Sequence, residues 1–99
     1  MKHGTALGDD QLIRRRPDII AVEADGGMVV LDADRGDFLQ LSSSAASIWK
    51  QLDVPTTIAD ICHSVSATFA VDAAVCRVDV KEFVGVLAGR NMIETIPTQ

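Results

Sequence analysis

The sequence predicts an α+β domain in which a three-stranded antiparallel meander is followed by three helices. Three observations carry this. Short β-branched and apolar runs fill residues 19–41 and are divided by Asp- and Gly-containing turn signals. At residue 42 the apolar spacing switches from alternating to helical. Capping residues and breakers then cut the remainder into helices of ordinary length.

The elements follow in order. Residues 1–12 are polar and glycine-containing without sustained periodicity, and read as a flexible lead-in to a domain over 13–96. A lone His3 in such a segment is a solvated side chain. Arg14-Arg15-Arg16, beside Asp9, Asp10 and Asp18, reads as a solvated arm leading into the first strand. That strand is Ile19-Ile20-Ala21-Val22, followed by the turn Asp25-Gly26-Gly27. Met28-Val29-Val30-Leu31 is the second, Asp34-Arg35-Gly36 the next turn, and Asp37-Phe38-Leu39-Gln40-Leu41 the third. Two tight connections between three runs predict the meander. Alternation in the third strand separates Leu39 and Leu41 from Phe38 and Gln40.

Ser42-Ser43-Ser44 supplies N-cap hydroxyls, and Ala45, Ile48, Trp49 and Leu52 recur at helical spacing until Asp53-Val54-Pro55. Thr57 with Asp60 resembles a capping box for a second helix with the stripe Ile58, Ile61, Val65 and Phe69. Asp72 caps a third helix running to about Gly89, which Asn91 ends in the left-handed conformation. Met92-Ile93-Glu94-Thr95-Ile96 reads as a short closing strand.

Composition bounds the function. The chain has 99 residues, 47% apolar and 23% charged, which is one globular domain with one modest core. Fourteen acids against nine bases give a net charge of −5, a poor start for binding phosphate backbones. No apolar run approaches the roughly 20 residues of a membrane span, and no signal-peptide pattern opens the chain. The expected compartment is the cytoplasm, and two cysteines, Cys62 and Cys76, fit a reducing one. Cys62 and His63 are adjacent on a helix and point about 100° apart, which suits neither a shared metal nor a thiol–base pair. Metal-binding spacings and Gly-rich phosphate loops are absent. No catalytic residue, metal ligand or cofactor is assigned.

Two features point to binding instead. A meander has edge strands whose unpaired N–H and C=O groups template another chain. Residues 37–41 carry neither Lys nor Pro as a blocker, which leaves Gly36, Asp37, Phe38, Leu39 and Gln40 open to strand addition, unless residues 92–96 cover that edge. In the third helix Cys76, Val80, Phe83, Val84 and Leu87 share the core face. Val75, Val78 and Val86 lie on a second face roughly 120° away, with Asp79 and Glu82. That face either packs on the sheet or the N-terminal segment, or it walls a ligand groove.

The serial pattern resembles a known family. Arg15-Arg16-Pro17-Asp18, then Leu31-Asp32 and Gly36-Asp37-Phe38-Leu39-Gln40-Leu41, then Ala45-Ala46-Ser47-Ile48-Trp49-Lys50-Gln51-Leu52-Asp53 occur in the order of the PqqD-like leader-peptide recognition domains. Thr57-Ile58-Ala59-Asp60-Ile61, Phe69-Ala70-Val71-Asp72 and Asp79-Val80-Lys81-Glu82-Phe83 continue it. Ser42-Ser43-Ser44-Ala45 stands where many members have Asn-x-Thr-Gly, Phe38-Leu39 where an aromatic pair is common, and Asn91 where Gly precedes the last strand. The resemblance implies a winged helix-turn-helix-like domain without catalysis. Such domains bind the leader of a ribosomally made precursor peptide as a strand beside the third helix. They present it to a maturation enzyme, a radical SAM enzyme or a leader peptidase. The implied site is Gly36 to Gln40 with Val75, Val78, Asp79, Glu82 and Val86. The acidic charge argues against nucleic acid and the short apolar runs against membrane as partners, and a free strand edge on a small domain allows a monomer or weak dimer. The competing reading is a DNA-binding winged-helix regulator, with Asp79 and Glu82 on the reading helix against it.

Overall fold

A computed structural model describes residues 8–70 and 72–97. The order is β1 (Leu12–Arg15), β2 (Ile20–Ala24), β3 (Gly27–Asp32), β4 (Asp37–Leu41), α1 (Ser43–Gln51), α2 (Ile58–Phe69), α3 (Ala73–Gly89) and β5 (Ile93–Ile96). Strands β2, β3 and β4 form the expected antiparallel meander, followed by the three expected helices.

The turns explain the register. Asp25 and Gly26 form a two-residue hairpin loop with φ of 46° and 80°, the conformation an Asp-Gly pair favours. Ala24 therefore pairs with Gly27. A Cβ on Gly27 would run into the Leu41 carbonyl of β4, so the residue must be glycine for the third strand to close on the second. At the next turn the buried Asp32 carboxylate accepts the Arg35 N–H at 3.3 Å, which folds the chain back into β4.

All three predicted caps are in place. Ser42 Oγ accepts the Ala45 N–H, Thr57 Oγ1 the Asp60 N–H, and Asp72 Oδ1 the Ala74 N–H. At the end of α3, Asn91 adopts φ 60°. Its N–H reaches the Ala88 carbonyl at 3.0 Å while the Met92 N–H reaches Leu87 at 2.9 Å. This is the double hydrogen bond of a Schellman ending, made with Asn in the glycine place.

The inner face of the sheet, Met28, Val30 and Leu41, packs on Ile48, Trp49, Ile61 and Leu87 from the helices in one apolar cluster. Leu39 and Phe83 are half-buried at its margin.

The sequence does not predict β1. It pairs antiparallel with β5, Ile13 opposite Thr95, to make a second, two-stranded sheet. Ile13 is fully buried and exchanges two hydrogen bonds with Thr56, at 2.8 and 2.9 Å. Residues 8–12 also make contacts with the domain. The Asp9 carbonyl accepts the Ala59 N–H, its carboxylate pairs with Arg77 and Lys81, and Gln11 Nε2 donates to the Ile96 carbonyl. The remainder of the expected lead-in, including His3, lies outside the described residues. The closing strand exists as expected, but its partner is β1, so it does not cover the edge of β4.

Candidate functional site

Strand β4 is paired on one side only among the described residues. Its polarity can be read from two contacts. The Leu41 carbonyl faces Gly27 of β3, whereas the Phe38 carbonyl accepts a hydrogen bond from Arg90 Nη1 at 3.4 Å, on the open side. Alternation then turns the backbone groups of Phe38 and Gln40 outward and those of Asp37, Leu39 and Leu41 toward β3. The side chains alternate on the other axis. Phe38 is 63% exposed and Gln40 exposed on the outer face, while Leu39 and Leu41 turn inward.

Helix α3 is tied to the start of this strand. Arg90, just past its last turn, holds the Asp37 carboxylate at 2.7 Å. Along the helix Cys76, Val80, Val84 and Leu87 are buried in the core. The second face is open: Val75, Val78 and Val86 are 56%, 57% and 46% exposed, with Asp79 and Glu82 exposed beside them. It packs neither on the sheet nor on residues 8–12. Three exposed valines on one helix stripe form an apolar surface without a cover among the described residues.

Between the first turn of α1, the end of α2 and the middle of α3 lies a hollow of about 340 Å³. Ser44, Ile48, Val65, Phe69, Cys76, Asp79 and Val80 line it. It is mostly apolar, with the Asp79 carboxylate as its acidic member. Asp79 is thus shared between this hollow and the valine face. A more voluminous hollow, about 630 Å³, lies away from β4 and α3, between the β2–β3 turn and α1, with Glu23, Lys50 and Gln51 in its wall.

The predicted residues therefore fall into two groups on two elements. Asp37 to Gln40 form an open strand edge, with Gly36 at φ 66° leading into it. Val75, Val78, Asp79, Glu82 and Val86 form an open helix face. The Asp37–Arg90 pair joins the two groups at one end. The sequence reading missed Arg90 as a member and missed the hollow. Ile48, Val65 and Cys76 carry only a core signal in sequence, and which of them border a hollow depends on how three helices meet.

The arrangement is unfavourable for other chemistry. The bases of α3 are engaged by acids of the same chain: Arg77 and Lys81 by Asp9, and Arg90 by Asp37. Those acids offset their charge, while Asp79 and Glu82 are exposed. Burial, and then the neighbouring Cys76, raise the pKa of Cys62 and keep the thiol protonated. Cys76 Sγ donates to the Cys62 carbonyl at 3.7 Å. The carboxylates of Asp18, Asp32 and Asp34 approach within 4.8 Å of one another, but Asp18 pairs with Arg16 and Asp32 serves the β3–β4 turn. No described helix is long and apolar enough to cross a membrane.

The family model of coenzyme PQQ synthesis protein D (PqqD) matches residues 27–93, from the start of β3 into β5. Among solved structures, the chain is similar to TbiB1 in complex with the TbiA(beta) leader peptide, with a TM-score of 0.75 and 20% identity. The match covers 86% of this chain and 99% of that one. A lasso peptide synthetase B1 complexed with the leader peptide matches with a TM-score of 0.70 and 29% identity, over 86% and 98% of the two chains. The PqqD truncation of Methylobacterium extorquens PqqCD, a stand-alone recognition element for ribosomally synthesized and post-translationally modified peptides, matches with a TM-score of 0.76 and 20% identity. That match covers 91% of this chain and 96% of that one. No curated protein matches the chain.

Proposed function

The chain belongs to the PqqD family, and from that premise we propose that it is a non-catalytic recognition domain for the leader of a ribosomally made precursor peptide. The leader adds to β4 as a further antiparallel or parallel strand. The outward N–H and C=O groups of Gln40 set its hydrogen bonds, on an edge completed by Gly36, Asp37, Phe38 and Leu39. Alternate leader side chains meet the wall of α3 formed by Val75, Val78 and Val86, and Asp79 and Glu82 receive its polar or basic groups. One observation carries the reading: an unpaired strand edge without Lys or Pro, tied at one end to a helix whose apolar second face is exposed. Two of the similar structures hold a leader peptide, which supports it.

In this reading residues 13–96 act as one peptide-binding unit in the cytoplasm, as a monomer or weak dimer. It presents the bound precursor to a maturation enzyme of the radical SAM or leader-peptidase kind. The test is a binding assay with the leader segment of a short precursor peptide encoded beside this gene. Val78→Asp and Val86→Asp are expected to lower affinity about tenfold, the effect of losing buried apolar contact of roughly 1.4 kcal/mol. Both side chains are exposed, so the amide spectrum of the free protein stays folded. Unchanged affinity in folded variants removes α3 from the site.

A further inference from the structure

The end of the β4 edge is occupied from within the chain. Arg90 Nη1 lies 2.7 Å from the Asp37 carboxylate and 3.4 Å from the Phe38 carbonyl. The Phe38 carbonyl is an outward acceptor of the open edge, one that an added strand would otherwise fill with its own N–H. The guanidinium is fixed at its root as well as its tip. The Arg90 backbone N–H caps α3 through the Val86 carbonyl, and the Schellman ending at Asn91 and Met92 locks the backbone that follows. A charged donor that already has a carboxylate partner is not readily displaced by a neutral amide. Gln40, two residues on, has no such cover among the side-chain hydrogen bonds of the described residues.

We infer that Arg90 is the register stop of the peptide site: held by Asp37 over the Phe38 carbonyl, it closes one end of the β4 edge and makes an incoming strand begin its main-chain pairing at Gln40. This rests on the strand-addition reading and deepens it. A strand slipped by one residue would turn every side chain to the opposite face, so a fixed end determines which leader residues reach the α3 wall. It also gives the site a direction of closure, shut at Arg90 and open toward Ser44 and Asp79.

The test is carbonyl-detected NMR on the full chain, free and titrated with the synthetic leader segment of the precursor encoded beside this gene. In the free protein, Arg90→Gln is expected to shift the Phe38 carbonyl resonance, and no shift overturns the clamp. On titration, the wild-type Gln40 amide and carbonyl move and the Phe38 carbonyl stays. In Arg90→Gln the Phe38 carbonyl joins the response, and affinity rises about threefold to tenfold through the released acceptor. Arg90→Lys, which keeps the charge but lacks the planar guanidinium that fixes Nη1 between the two acceptors, falls between. Equal movement of Phe38 and Gln40 in the wild type, or weaker binding by Arg90→Gln, overturns the stop. A titration that leaves all of β4 unmoved while another surface responds overturns strand addition itself, a distinguishable failure.

Discussion

The molecule has two small antiparallel sheets and treats their edges in opposite ways. β1 is sealed on both sides. Ile13 and Ile93 are buried, β1 is bonded to Thr56 and Leu52 on its far side, and Arg14 pairs with Glu94 across the strands. β4 in the meander is open, with Arg90 the one side chain of the described residues that donates to its outward backbone. The meander's other edge, β2, is unpaired too among the described residues, but all five of its residues are exposed, and the hollow at its end has Glu23, Lys50 and Gln51 in its wall in place of a valine face. The difference shows what the N-terminal segment does. By pairing with β5, it holds the closing strand in a second sheet, apart from the meander. Natural edges are normally blocked by charge, Pro or cover. We propose that the bare β4 edge, tied at one end to an apolar helix face, is the one that receives another chain.

The comparison can be broken on either side. The largest effect is expected on the sealed side. Ile13→Ala empties a fully buried site and should cost about 2–5 kcal/mol of stability, read from the urea midpoint at constant slope. A loss below about 1 kcal/mol, in the range of a surface change, would mean that β1 is not part of the core. On the open side, Gln40→Pro removes an outward N–H and spares the ladder to β3. It should reduce leader affinity about tenfold while moving the urea midpoint far less than Ile13→Ala does. A large stability loss would show that Gln40 bonds to β3, and that the edge polarity inferred from Phe38 and Leu41 is reversed.

Most of the fold was legible because its signals are local. Asp25-Gly26 specifies a hairpin, and Ser42, Thr57 and Asp72 cap helices within three residues of themselves. β1 was not legible. Its alternation contains one buried residue, Ile13, inside an Arg-rich stretch, and its partner strand begins at residue 93. A pairing that distant leaves no periodicity to read. The candidate site divides in the same way. The bare edge and the second valine face are patterns within single elements and could be found in sequence. Arg90 reads only as a terminal base, because its partners Asp37 and Phe38 lie 53 and 52 residues away. The resemblance to the PqqD-like family supplied what periodicity could not, namely the pairing of that strand with that helix as one site.

The central claim is that the β4 edge and α3 together receive a leader peptide. An amide NMR titration of the full chain with the leader segment of a short precursor encoded beside its gene tests it most directly. The account predicts shifts confined to residues 36–41 and α3, with Gln40 and Val78 among the largest, and none in β2 or in the β1–β5 pair. A duplex DNA control in the same series should produce no shifts at physiological salt. Saturable shifts along β2, or a response of α3 to DNA alone, would contradict the account.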